Sequence, residues 1–96
     1  MIKRTFSSAD SREIGIYIYF PDYDDKEDEF NCKYGTFGFN NDISLSAIGI
    51  DSFQSIFNAL MQLDYFVRNS SEYLELDLKW AGALNAGDTG IRIPVV

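Results

Sequence analysis

A length of 96 residues fits one domain spanning residues 1–96, and fifteen acids against eight bases leave a net charge of −7. That sign opposes binding to nucleic acid or to an anionic membrane surface. With no histidine, the commonest general base, the Ser-His-Asp and Cys-His arrangements and the usual zinc ligand are all removed.

The apolar share of 46% argues against disorder, and the aromatic share of 16% includes six tyrosines, more than a core around one helix needs. The lone cysteine, Cys32, excludes an internal disulfide and a thiolate metal site, and its apolar surroundings predict a buried thiol. No signal peptide or membrane-length apolar run is present, so the expected location is the cytoplasm.

In chain order, residues 2–6 are compatible with a strand, and 7–11 with a turn. Arg12 to Phe20 alternates as a strand. Ile14, Ile16, Ile18 and Phe20 share one face, and Gly15, Tyr17 and Tyr19 the other. Pro21 ends it. Asp22-Tyr23-Asp24-Asp25-Lys26-Glu27-Asp28-Glu29 then carries six acids and one base, which is −5 of the −7. Clustered carboxylates cannot be buried unpaired, so this segment is expected as a solvent-exposed connection.

Phe30 to Phe39 is the next expected strand. Phe30, Cys32 and Tyr34 hold one phase and Phe37 and Phe39 the other, which predicts a bulge near Gly35. Asn40-Asn41-Asp42 is a turn, and Ile43, Leu45 and Ala47 mark a third strand. Phe53 to Arg68 is the one long helical pattern, with Phe53, Ile56, Phe57, Leu60, Leu63 and Val67 on one stripe. Gln54, Ser55, Asn58, Gln62 and Arg68 fall mostly opposite. Asp51 with Gln54 three residues on forms an acidic capping box, and Asn69 suits a left-handed closing position. Glu72 to Trp80 alternates as a strand with Leu74, Leu76, Leu78 and Trp80 inward. Ala81 to Gly90 is a glycine-rich loop, and Ile91, Ile93, Val95 and Val96 suggest a short closing strand. The expected fold is α+β: an antiparallel sheet of four to six strands with one long helix (about 51–68) packed on one face.

Two stretches invite chemistry. Set on the EF-hand template, Asp22 and Asp24 would place Lys26 at the fifth ligand, Glu27 where glycine belongs and Lys33 at the bidentate position, so the calcium reading fails. Gly82 to Gly90 has no phosphate-loop pattern and opens no helix. No cofactor, metal site or catalytic residue is expected, and the protein is expected not to be an enzyme. What remains is a partner-binding surface: Tyr17, Tyr19, Asp22, Tyr23, Asp24, Asp25, Glu27, Asp28 and Glu29. Concentrated negative charge speeds encounter with a basic protein, and tyrosine rings supply contact area. The competing reading is a solvated loop that touches nothing.

Several short anchors then carry a resemblance: Arg4-Thr5-Phe6, Arg12-Glu13-Ile14, Phe20-Pro21, Phe30, Cys32 and Tyr34. They continue with Ala47-Ile48-Gly49-Ile50-Asp51-Ser52-Phe53-Gln54-Ser55, Leu78-Lys79-Trp80-Ala81-Gly82 and Asp88-Thr89-Gly90. Over most of its length the chain resembles a family of small bacterial proteins known only as a domain of unknown function. The Gly-Ile-Asp-Ser-Phe-Gln helix entry is the most specific match. That resemblance implies an α+β fold and carries over no activity. By type rather than motif, the chain also resembles immunity proteins of contact-dependent inhibition and related polymorphic-toxin systems. These are small, acidic, cytoplasmic and cofactor-free, and bind a cognate toxin domain, frequently a basic nuclease. The alternative expectation is a stand-alone structural or regulatory domain, a homodimer through an exposed sheet edge or the tyrosine face.

Overall fold

The computed structural model describes residues 1–80 and residue 91. Its strands are β1 (Ile2–Ser7), β2 (Ile14–Ile18), β3 (Asp22–Asp24), β4 (Glu29–Phe37), β5 (Ser44–Gly49) and β6 (Lys79–Trp80). The helices are α1 (Ser52–Arg68) and α2 (Ser71–Glu75). The fold is α+β, an antiparallel six-stranded sheet with one long helix packed against it.

β4 is the central strand. One of its edges pairs first with β3 and then with β2, and the other pairs with β5 over Phe30–Gly35. β2 in turn pairs with β1, and β1 with β6. The alternation expected for β2 holds: Ile14 and Ile16 are buried, and with Phe6, Cys32, Tyr34 and Ala47 they form the sheet's contribution to the core.

α1 covers that face, but its buried line is Ser55, Ala59, Leu63 and Val67, and Phe53 is 79% exposed. The helix is therefore rotated from the stripe its largest residues suggest. Space decides this at the helix start: Gly49 lies so close to the backbone of Gln54 and Ser55 that no larger side chain fits between, and the sheet residues nearby in the core, Ala47 and Cys32, are small as well. The Ser55 hydroxyl is satisfied by donating to the Ser52 carbonyl at 2.8 Å. Farther along, Leu63 and Val67 are fully enclosed, and each such side chain contributes about 1.5–3 kcal/mol of burial.

The expected cap at the helix start is present. Asp51 Oδ1 accepts from the Gln54 N–H at 2.7 Å, while the Gln54 side chain reaches back to the Ile50 N–H at 2.8 Å. At the far end Asn69 is not left-handed (φ −99°). Its side-chain amide donates to the Tyr65 carbonyl and the Ser70 hydroxyl to the Val67 carbonyl, so the open carbonyls are met without a reversed residue.

Two further expectations are corrected. β4 runs through Gly35 in unbroken register with both neighbours, so no bulge lies there. Phe39 instead regains the core because Gly38, at φ 82°, turns the chain after the strand has ended. The extra residue sits on the neighbouring strand. Tyr19 faces Lys33 but Asp22 faces Asn31, so three steps on one side match two on the other across Phe20-Pro21. Phe20 consequently stays 71% exposed, at the rim of an apolar hollow with Ile18, Ile56 and Leu60, and is not buried with Ile14 and Ile16.

The stretch Glu72–Trp80 is not one strand. It begins as α2, with Leu74 80% exposed, and only Lys79–Trp80 pair with β1. Tyr73 and Leu76, one helical turn apart, pack on the core, and Asp77 at φ 49° redirects the chain so that Leu78 is buried. The buried Glu72 anchors the helical form by accepting from the Asn40 N–H at 2.6 Å. The expected loop 81–90 and closing strand lie outside the described residues, except for Ile91, which packs against the core.

Candidate functional site

The acidic segment is not a loose connection. It forms β3, a reversal over Asp25–Asp28 and the first residue of β4, together the tip of a long hairpin. Asp24 Oδ1 accepts from the Lys26 N–H at 3.0 Å and the Glu27 N–H at 3.3 Å, an Asx turn that closes the reversal. Asp28 adopts φ 51°, which an Asp tolerates, and its carboxylate accepts from the Tyr23 hydroxyl at 2.8 Å. That bond, with burial and the charges of Asp28 and Asp24, raises the Tyr23 phenol above its ordinary pKa.

Between described residues, ion pairs join Lys3 to Glu13, Arg12 to Asp10 and Arg68 to Asp64. None involves Asp22, Asp24, Asp25, Glu27, Asp28 or Glu29. Among the described residues, then, no lysine or arginine neutralises any of the six carboxylates. Among the described residues they do not converge into a group able to hold a metal ion. Asp22, Asp25, Glu27 and Asp28 are exposed; Asp24 and Glu29 are half-buried.

The tyrosines divide between two faces. The bulge at Phe20-Pro21 flips the phase, so Tyr23 lies opposite Phe30 on the helix side of the sheet, with ring centroids 5.2 Å apart. Tyr17 and Tyr19 stand on the outer face, edge to face at 5.9 Å. Tyr17 covers Gly35 and Phe37 covers Gly15, so these rings shield the side of the sheet away from α1. Of the pair, Tyr19 is the more exposed, at 44%.

Three apolar residues around the root of the tip escaped the sequence reading: Phe20, Ile50 and Phe53 are more than two-thirds exposed. Gly49 lies opposite Phe30, which itself faces Tyr23, so Ile50 and Phe53 emerge at the same end of the sheet as the acids. Pro21 directly after Phe20 was the available signal: it breaks the ladder where alternation would have carried Phe20 inward. Nothing in the alternation marked Ile50 or Phe53.

Cys32 is fully enclosed, its thiol donating to the Tyr19 carbonyl at 3.3 Å, and burial pushes its pKa upward. Such a thiol is a packing group rather than a nucleophile. No described helix is long and apolar enough to cross a membrane.

Fold and site together define a small α+β domain that holds an acidic hairpin tip beyond its core. The family described as Domain of unknown function (DUF6968) matches residues 2–92, and the chain belongs to that family. No curated protein and no solved structure matches it.

Proposed function

We propose that this protein is a cytoplasmic immunity protein that binds and neutralises a cognate bacterial toxin domain, a basic nuclease, without a cofactor and without catalysis of its own. The observation that carries this reading is the tip itself: six carboxylates on an ordered hairpin, none neutralised by a lysine or arginine of the described chain. An Asx turn at Asp24 and the Tyr23–Asp28 bond fix two of these carboxylates and the shape of the reversal that carries the others. A narrow hairpin entering a cleft presents both faces, so Tyr23 on one side and Tyr19 on the other both meet the walls. The carboxylates take the place of substrate phosphates, and the rings supply desolvated contact area.

The test uses a toxin domain encoded beside this gene. Co-expression is expected to rescue growth, and the purified pair to associate quickly at low salt. Replacing Asp25, Glu27 and Asp28 with Asn, Gln and Asn should slow association severalfold and flatten its salt dependence. Unchanged association and salt slope would remove the tip from the interface. Absence of rescue by the intact protein would remove the immunity reading itself.

A further inference from the structure

Among the described residues the sheet ends on one side in β5, and the backbone groups of that edge can be traced. The Ile43 carbonyl accepts from the Thr36 N–H at 3.0 Å, so odd-numbered residues of this strand turn their backbone groups toward β4. Ser44, Ser46 and Ile48 turn theirs outward. The Ile48 carbonyl is taken by the Asn58 amide at 2.8 Å, and the next outward group, the Ile50 N–H, by Gln54 Oε1 at 2.8 Å. One end of the edge is thereby closed by the protein's own helix. The N–H and C=O groups of Ser44 and Ser46 have no hydrogen-bond partner among the described residues.

Charge singles out the same place. Ile43 to Ile50 contains no charged residue, although 24% of the chain is charged. The Asn58 and Gln54 bonds show which side of α1 overhangs this strand, and that side is also uncharged: Gln54, Asn58, Met61, Gln62 and Tyr65. Leu45, Met61 and Tyr65 are 54%, 44% and 72% exposed there. Edge strands of monomers are ordinarily blunted by lysine, proline or a bulge. β5 has none of these.

We infer that β5 is a homodimer interface, in which a second copy of this chain pairs antiparallel about a two-fold axis through Leu45. In that register Ser44 lies opposite Ser46 of the second copy. All four outward groups of the two serines are then satisfied in each copy, and the bonds to Asn58 and Gln54 are undisturbed. Shifting the pairing toward Ile48 would require breaking the Asn58 bond. Two copies of net charge −7 repel over most of their surfaces, and this uncharged strip is where they can meet at least cost. The axis is perpendicular to the sheet, so both helices fall on one side and their Met61 and Tyr65 side chains close over the paired Leu45 residues. An isologous contact of this kind consumes the edge and stops at two. The acidic tips point in opposite directions and stay free, so the dimer does not depend on the toxin-binding reading.

Sedimentation equilibrium over a concentration series is expected to give twice the 10.9 kDa chain mass. Leu45→Lys places like charges on the axis, and Ser46→Pro removes an outward donor that β4 does not use. Each should raise the dissociation constant by roughly tenfold or more. Tyr65→Glu, on an exposed helix position, tests the same contact without touching the sheet, and circular dichroism checks that each variant is folded. Leu45→Cys should cross-link two copies under mild oxidation, because directly opposed non-hydrogen-bonded positions bring Cβ atoms within disulfide reach. Ile48→Cys should not. A wild-type chain that sediments at the single-chain mass into the millimolar range overturns the inference, as does a dimer that survives in Leu45→Lys and Tyr65→Glu, or cross-linking at residue 48 instead of 45. Charge-removing changes at Asp25, Glu27 and Asp28 should leave the dimer intact, which separates this outcome from failure of the toxin-binding reading.

Discussion

Gly49 and Ser55 are in backbone contact: a Cβ on residue 49 would lie 2.9 Å from Ser55 Cα and nearer still to its nitrogen. The strand leaving β5 and the first turn of α1 thus touch with nothing between them. Both sides of the contact are main chain, so neither can rotate away. Gly49→Ala is expected to destabilise by about 1–3 kcal/mol, read as a lower denaturant midpoint with an unchanged slope. A midpoint equal to wild type would show that the helix entry shifts freely.

The rotation of α1 makes a prediction that runs against residue size. Phe53→Ser should change stability by no more than about 0.5 kcal/mol, because the ring is exposed. Leu63→Ala should cost about 2–5 kcal/mol, since Leu63 is fully enclosed. Ser55→Leu should cost about 1–3 kcal/mol by overpacking beneath the helix. Thermal melts of the three variants check the ordering, and a large loss in Phe53→Ser would refute it.

How far the sequence reveals this depends on which signal a residue carries. The isoleucine alternation of β2 and the Asp51–Gln54 cap are written in local spacing, and both hold in the structure. The rotation of α1 is not local. It follows from the backbone of Gly49 meeting that of Gln54 and Ser55, which only the folded register reveals. The leucines of 74–80 obey a strand period, yet Glu72 has a partner 32 residues away at Asn40, and that contact selects the helical form instead. At the candidate site, the charge was legible as composition. The hairpin that orders it, and the separation of Tyr23 from Tyr17 and Tyr19, rest on one extra residue at Phe20-Pro21.

Glu72 makes stability depend on pH. Burial pushes its carboxyl pKa upward, but the Asn40 N–H, the Ser71 hydroxyl and its own backbone N–H outweigh this and hold it below the ordinary glutamate value. A depressed pKa in the folded state means the carboxylate stabilises the fold above the unfolded-state pKa, and that contribution disappears as pH falls through the folded value. Glu72→Gln should therefore cost about 1–2 kcal/mol at neutral pH, with the gap to wild type closing as pH drops below the glutamate range. A gap independent of pH would assign the loss to shape rather than charge.

The tip offers a spectroscopic check. Tyr23 is expected to titrate above the ordinary tyrosine value, chiefly because its hydroxyl donates to Asp28. In Asp28→Asn the phenol should move back toward that value, as followed by the chemical shift of its ring carbon. An identical titration in both proteins would mean the bond does not persist in solution.

The bulge at Phe20-Pro21 has a consequence for how this molecule can vary. Below it, every second side chain answers to the hydrophobic interior, and a one-residue slip would turn the whole strand inside out. Above it the phase is reset, so the tip no longer inherits that obligation. Its residues can be exchanged for others of different charge or shape while the body keeps its alternation, which makes the projecting end interchangeable on a fixed scaffold.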